Sequence, residues 1–452
     1  MSVSATSPLL TAPLGRTIVR LAAPNMISQF VTMLTLMAEV WFVGQLGTVA
    51  LAGLALAFPM MMLVMMMSAG AIGGAITGAV ARRLGADDRL GAEELAIHAV
   101  LLEVLLAIIF ALVFLPGGRW IYGALGGSGA VLEQALAYSN VVFLGGVSMW
   151  LASALAAIVR ATGNMSVAAK SQVTGSALQV LAAGLLALGV GPFPKLGIAG
   201  AAAGIVIGNA FAAIAMLVFL MTRCKQLRLR MTGITVRSAP ILVILRVGAP
   251  ASINTFCTLA ATLVITSYMA RLGVDVLAGY GIGSRLEFLL VPVIFGFGAA
   301  STVMVGVHFG ANAIERGHRA GWTATLYSAV LCGLIGGVVA LFPGLWANLF
   351  TDSDAVRSAC RTYLQIVGPF YTFFGVGLCL YFASQGAGRM AWPVIASLVR
   401  VLVVVIGCVV LARSAQPHQE PFFWMIAAGM VVQALISGTA IRLGAWTRGR
   451  EP

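Results

Sequence analysis

Three carboxylates interrupt long apolar runs in this sequence: Glu39 near the end of the first run, Glu103 in Val100-Leu-Leu-Glu-Val-Leu-Leu-Ala, and Glu287 in Gly283-Ser-Arg-Leu-Glu. An acid at mid-bilayer costs about 2.5–3.5 kcal/mol, so each retained one needs a partner, water or a task. No basic residue lies between Arg20 and the far end of the run that holds Glu39. Removal from water without a nearby cation favours the neutral acid, which suits a carboxylate that exchanges a proton near neutral pH. A side chain that snorkels to the outer headgroups is the alternative. Glu287 follows Arg285 by two positions, a spacing that does not share a helix face, so each side chain has its own partners. It reads either as a cation- or ligand-binding acid or as a polar clamp between helices. Glu103 reads as structural or as facing a cavity by chance.

Uncharged polar residues recur at helical spacing. Ser28 and Gln29 fall in the first run, Tyr138, Ser139 and Asn140 in the fourth, and Asn209 in the sixth. Gln172, Ser176 and Gln179 stand at i, i+4 and i+7, one stripe of a helix. With Glu39 they would line a hydrated pocket; hydrogen bonding between helices, at about 0.6–2 kcal/mol per bond, is the plainer reading. Met60 to Met67 contains six methionines, Met66 among them. Thioethers suit a surface that accepts varied shapes, although part of any such helix must face lipid. His98, His308, His318 and His418 fall near the ends of apolar runs, and no His-Glu-x-x-His pair or nucleotide-binding P-loop occurs. The residues thus give no support for an enzyme, a metal site or ATP-driven chemistry.

The elements that hold these residues follow from composition. In 452 residues, 60% are hydrophobic, 9% are charged, and mean hydropathy is +1.01. That describes a polytopic membrane protein, not a nucleic-acid binder, despite a net charge of +13. The continuous runs predict an all-α fold and exclude the period-two pattern of a lipid-facing barrel. Twelve spans are expected, near 17–43, 49–80, 93–115, 131–158, 168–191, 196–222, 241–271, 277–308, 320–343, 355–384, 392–412 and 421–443. No cleavable leader is expected, and the first span stays in the membrane. Arginine and lysine cluster in alternate loops, which places both termini in the cytoplasm of a cell inner (plasma) membrane. Six scattered cysteines without a Cys-x-x-Cys pair read as small apolar residues.

The chain is also a duplication. A shift of 226 positions, without a gap, pairs Ala23-Pro24 with Ala249-Pro250, Phe30 with Phe256, Leu46-Gly47 with Leu272-Gly273 and Leu51-Ala-Gly53 with Leu277-Ala-Gly279. Glu39 falls opposite Ile265, so the acid is not duplicated. Six spans per half keep the same orientation, giving parallel repeats. The expected organisation is a bundle over 1–222, a basic cytoplasmic linker over 223–240 and a bundle over 241–452. The linker either lies on anionic headgroups or is a solvated connector.

Several motifs carry a resemblance. The helix ending Glu39-Val-Trp-Phe-Val-Gly-Gln-Leu-Gly, the Leu51-Ala-Gly-Leu after it and the loop Ala81-Arg-Arg-Leu-Gly-Ala-Asp resemble the multidrug and toxic compound extrusion (MATE) family. Leu277-Ala-Gly-Tyr-Gly-Ile-Gly-Ser-Arg-Leu-Glu, Val305-Gly-Val-His-Phe-Gly-Ala-Asn and Phe382-Ala-Ser-Gln-Gly-Ala-Gly-Arg are similar to its second-half signatures. The branch related to DNA-damage-inducible bacterial members is the nearest likeness. The resemblance implies two six-helix bundles forming a V around a central cavity, and export of amphipathic, often cationic, organic compounds in exchange for protons or sodium. It implies a monomer in a lipid bilayer, no enzymatic cofactor and no nucleic-acid partner. Glu39 and Glu287 are then the ion-coupling candidates, and Gln29, Asn140, Gln172, Ser176, Gln179, Asn209, Arg285 and Met66 the cavity candidates. Where the family commonly has Asp on the first helix this chain has Glu39, and its usual fifth-helix Asn and Asp fall on Gln179 and Ala183, so coupling-ion identity does not carry over. A flippase for an amphipathic or lipid-linked compound is the alternative, disfavoured by the scarcity of basic residues within spans.

Overall fold

A computed structural model describes residues 8–229, 236–413 and 418–447; the middle of the basic linker and the extreme termini lie outside them. All regular structure among the described residues is helical. We number the spans α1 (Leu14–Gly44), α2 (Thr48–Gly85), α3 (Arg89–Ala124), α4 (Gly129–Leu144 plus Gly146–Ala161), α5 (Met165–Leu188), α6 (Ile198–Thr222), α7 (Ser238–Leu272), α8 (Val274–Gly310), α9 (Ile314–Leu341), α10 (Asp354–Ala387), α11 (Ala391–Leu411) and α12 (Gln419–Arg442). Eleven are long and apolar enough to cross a bilayer singly. The two pieces of α4, bent by 50° at Gly145, make the twelfth. The apolar runs thus locate the spans, but not their ends. α3 runs on through Pro116, Gly117, Gly118 and Arg119 to Ala124, beyond the apolar run that marked it.

The chain forms two compact units: residues 27–248, and residues 1–26 together with 249–452. The divisions fall inside α1 and α7, close to Pro24 and Pro250, which occupy equivalent places in the duplication. Each proline removes one helical hydrogen bond at its division. The start of α1 therefore belongs with the second half of the sequence. Arg316 of α9 donates to Ala12 O (2.7 Å) and to His308 Nε2 (3.1 Å), and Gly296 of α8 lies against Met26. The start of α7 belongs with the first half. Arg237 N donates to His98 Nε2 (2.9 Å), and Arg228 N donates to Glu93 (3.1 Å), so both described ends of the linker are fastened to α3.

Within residues 27–248, α5 and α6 pack through glycine. Gly200, Gly204 and Gly208 form one stripe of α6, and a Cβ on Gly204 would stand 2.7 Å from both the N and Cβ of Ala183. Such contact with backbone cannot be relieved by a rotamer change. Gly204→Val is expected to lower stability by about 1–3 kcal/mol, read as an earlier melt in detergent. Gly337→Ala on α9, which meets nothing within 4 Å, should melt as wild type.

The connection from α2 to α3 is built by capping. Asp88 accepts from Gly91 N (2.9 Å) and from Arg83 Nη1 (2.6 Å), while Asp87 takes a left-handed φ of 58°. The Gly91 N–H, helped by the Arg83 guanidinium, holds the Asp88 carboxyl below the usual aspartate range. Its contribution to stability is therefore complete above that range and is lost only as the solution is acidified through the depressed value.

The duplication is visible in the packing and is not uniform. Asn312, at the α8–α9 connection, has the same φ of 58° as Asp87. Thr77 donates to Gly73 O and, across to α4, to Ala157 O; Thr302 donates to Gly298 O and, across to α10, to Phe382 O. These pairs share a shift one position shorter than the one that relates Gly53 to Gly279. α2 thus carries one residue more than α8 between these points. It is accommodated at Met66–Ile72, where α2 winds as a π-helix, whereas α8 is α-helical from Val274 to Gly310.

Candidate functional site

Glu39 lies within two turns of the end of α1 and is only 3% exposed, so its carboxylate is buried. Tyr138, on the first piece of α4, donates its hydroxyl to Glu39 Oε1 at 2.6 Å. Val43, Leu54, Ala57, Met61, Tyr122 and Leu136 belong to the same buried cluster as Tyr138. No arginine or lysine pairs with Glu39 among the described residues. A short charge-assisted bond in a water-poor setting fixes the orientation of the carboxyl but leaves its charge uncompensated.

The other first-half candidates are distributed along their helices. Ser176 is buried, and Gln172 and Gln179 are half-buried on α5. Gln179 packs on Gly208, next to Asn209, whose Nδ2 donates to Ile205 O (2.9 Å). Asn140 is half-buried, and its Oδ1 has no hydrogen-bond partner. Gln29 is half-buried on α1, and Met66 is 39% exposed at the start of the π turn. No hydrogen bond joins Glu39 to the α5 stripe among the described residues; the tyrosine of α4 is what the fold brings to it.

In the second half, Tyr363 of α10 donates to Glu287 Oε1 at 2.7 Å. Arg285 is an exposed residue of α8, apart from this contact. The basic group within electrostatic reach of Glu287 is Arg400 of α11. Arg400 donates to Gln433 Oε1 (3.0 Å), Gln433 Nε2 to Ser397 Oγ (3.4 Å), and Ser397 Oγ to Asn254 Oδ1 (2.6 Å), a chain from α11 through α12 to α7. Tyr280 and Phe423 meet the ring of Tyr363 edge-on at 5.6 and 5.2 Å.

The two tyrosines occupy equivalent positions. Gly53 abuts Gln134 and Ala135, four and three residues before Tyr138; Gly279 abuts Ala359 and Cys360, four and three residues before Tyr363. Each half thus presents a buried phenol at one place on its fourth helix. The acid it binds comes from α1 in the first half and from α8 in the second. Sequence reasoning named Glu39, Tyr138 and Glu287 but missed Tyr363 and the Arg400–Gln433–Ser397–Asn254 chain. Extending the repeat past the first two helices with a one-residue gap is the signal that leads to Tyr363.

With this geometry in hand, comparison with known proteins identifies the class. The sequence matches the MatE family over residues 24–186 and 250–410, one segment in each half, and the chain belongs to that family. It is 28% identical over 443 residues to a probable multidrug resistance protein NorM of Deinococcus radiodurans, covering 93% of each chain. It is 23% identical over 401 residues to an FAD transporter of Shewanella oneidensis, covering 88% of each. A solved MOP superfamily transporter from Pyrococcus furiosus has the same fold, with a TM-score of 0.88 at 24% identity over 99% of this chain and all of that one.

Proposed function

We propose that this MATE-family transporter is a secondary antiporter that exports small amphipathic, cationic organic compounds in exchange for protons or sodium by alternating access. Glu39 is the coupling carboxylate. The observation that carries this reading is the Glu39–Tyr138 pair: an acid 3% exposed, held by one phenol and facing no counter-charge. Such an acid favours either a proton or a desolvated cation, and exchanging one for the other state is what coupling requires. Several similar proteins are named as multidrug resistance or export proteins, which supports the cargo class. In the other unit Arg400 is engaged by Gln433 and lies near Glu287, which leaves that base compensated and disfavours an anionic or lipid-linked cargo. On this reading the protein is a monomer of the cell membrane; the arginine-rich alternate loops support cytoplasmic termini.

Reconstituted vesicles loaded with a cationic dye test the proposal. Movement of dye against its gradient is expected when a pH or a sodium gradient is imposed, and the more effective gradient names the coupling ion. Absence of dye movement under both gradients would reject the antiport reading.

A further inference from the structure

We propose that Glu103, Ser68 and Ser153 form a second site for a small monovalent cation, proton or sodium, at the π turn of α2 and apart from Glu39. Glu103 on α3 is fully buried. Its Oε2 accepts from Ser68 Oγ at 3.2 Å, while its Oε1 has no hydrogen-bond partner. Ser153 on α4 is 9% exposed, and its hydroxyl is also unpartnered. Ser153 meets the π turn at Gly73: an ideal Cβ there would lie 3.3 Å from Ser153 Oγ and 2.8 Å from Ser68 O, which accepts from Gly73 N, so the absent side chain leaves room beside the Ser153 hydroxyl. A carboxylate and two hydroxyls are hard oxygen donors of the kind that replace a small cation's water. A neutral acid at the same place would satisfy itself by donating to one of them.

Among the described residues no charged group pairs with Glu103. Outward of Glu103, Ala107, Phe114, Phe143 and Trp150 make an apolar cluster with Val64 of α2. The charged groups on the helices packed against α3 are Arg82 and Arg83 on α2, and Arg160 and Glu133 on α4. None is ion-paired with Glu103, and Glu133 pairs with Arg119. A carboxylate isolated in this way is held only with a cation or a proton.

The duplication argues against a purely structural acid. The Thr77 and Thr302 bonds show that α2 meets α4 as α8 meets α10. In that second arrangement Ser328 stands for Glu103, Leu378 for Ser153, and Val293 or Ile294 for Ser68. Helix packing of this kind thus forms without an acid. The acid, its two hydroxyls and the π turn occur together in the first half; single π turns inside α-helices are frequent at functional sites.

Equilibrium cation binding by the purified full chain in lipid nanodiscs tests the site without relying on transport. Radioactive sodium binding identifies a sodium ligand; in sodium-free choline buffer, the infrared carbonyl band of a buried neutral carboxylic acid identifies a proton. Glu103→Gln, made both in wild type and in Glu39→Gln, is expected to lose one bound cation per chain by one of these readouts in each background. If both readouts match the parent in both backgrounds, the proposal is overturned. Should Glu103→Gln fail to fold, Ser153→Ala retains the acid and removes one oxygen. About tenfold weaker sodium retention or a displaced carbonyl band supports the site, and wild-type values for both overturn it.

Discussion

Glu39→Gln is expected to abolish gradient-driven dye efflux at matched protein amounts while leaving the melting temperature close to wild type. The amide is nearly isosteric and its oxygen still accepts from Tyr138, so the 2.6 Å bond and the apolar packing around it are kept. What is lost is the ability to alternate between a charged and a neutral or cation-bound state, and coupling depends on that alternation. Glu39→Asp keeps the ionisable group but withdraws it by one methylene from Tyr138, and partial efflux is expected. A snorkelling acid would tolerate Gln, but a carboxylate 3% exposed and bonded to a residue of another helix is not reaching for headgroups. Wild-type efflux by the Gln variant under an acid-outside gradient would remove Glu39 from coupling and direct attention to Glu287.

The second large effect is expected at Arg400. Arg400→Met deprives Glu287 of its nearby positive charge and leaves Gln433 Oε1 without its donor. Arg400 and Glu287 are both half-buried, and removing Arg400 leaves Gln433 and Glu287 without its charge, at a cost of about 1–3 kcal/mol. The variant should therefore melt well below wild type. Adding Glu287→Gln to Arg400→Met neutralises the acid, and the double variant should recover most of the loss. A double-mutant cycle on melting measures this coupling; purely additive losses would mean that the two residues act independently.

These residues illustrate what a one-dimensional reading contains. The spans, the duplication and the isolated acids are properties of composition and spacing, because a bilayer imposes a length and an apolar requirement on each helix. Glu39 could be singled out because no base shares its span. Tyr363 is reachable only through the repeat extended with a gap, and Arg400 meets Glu287 from a helix more than 70 residues away, which no local pattern encodes. Glu103 belongs to no recognisable motif, and its meeting with Ser68 depends on an extra residue in α2 that a gapless comparison of the halves does not cross.

The exchange of helix starts between the two units bears on how the protein is made. Synthesis makes the start of α1 before the residues that receive it, including Gly296 and Arg316, which follow only after the whole first half. Conversely, the first unit is incomplete until residues 223–248 have left the ribosome. The start of α1 must therefore wait for its docking site, and neither half of the sequence alone contains a complete compact unit. Completing each unit requires segments from both halves, so the two halves do not mature as independent domains.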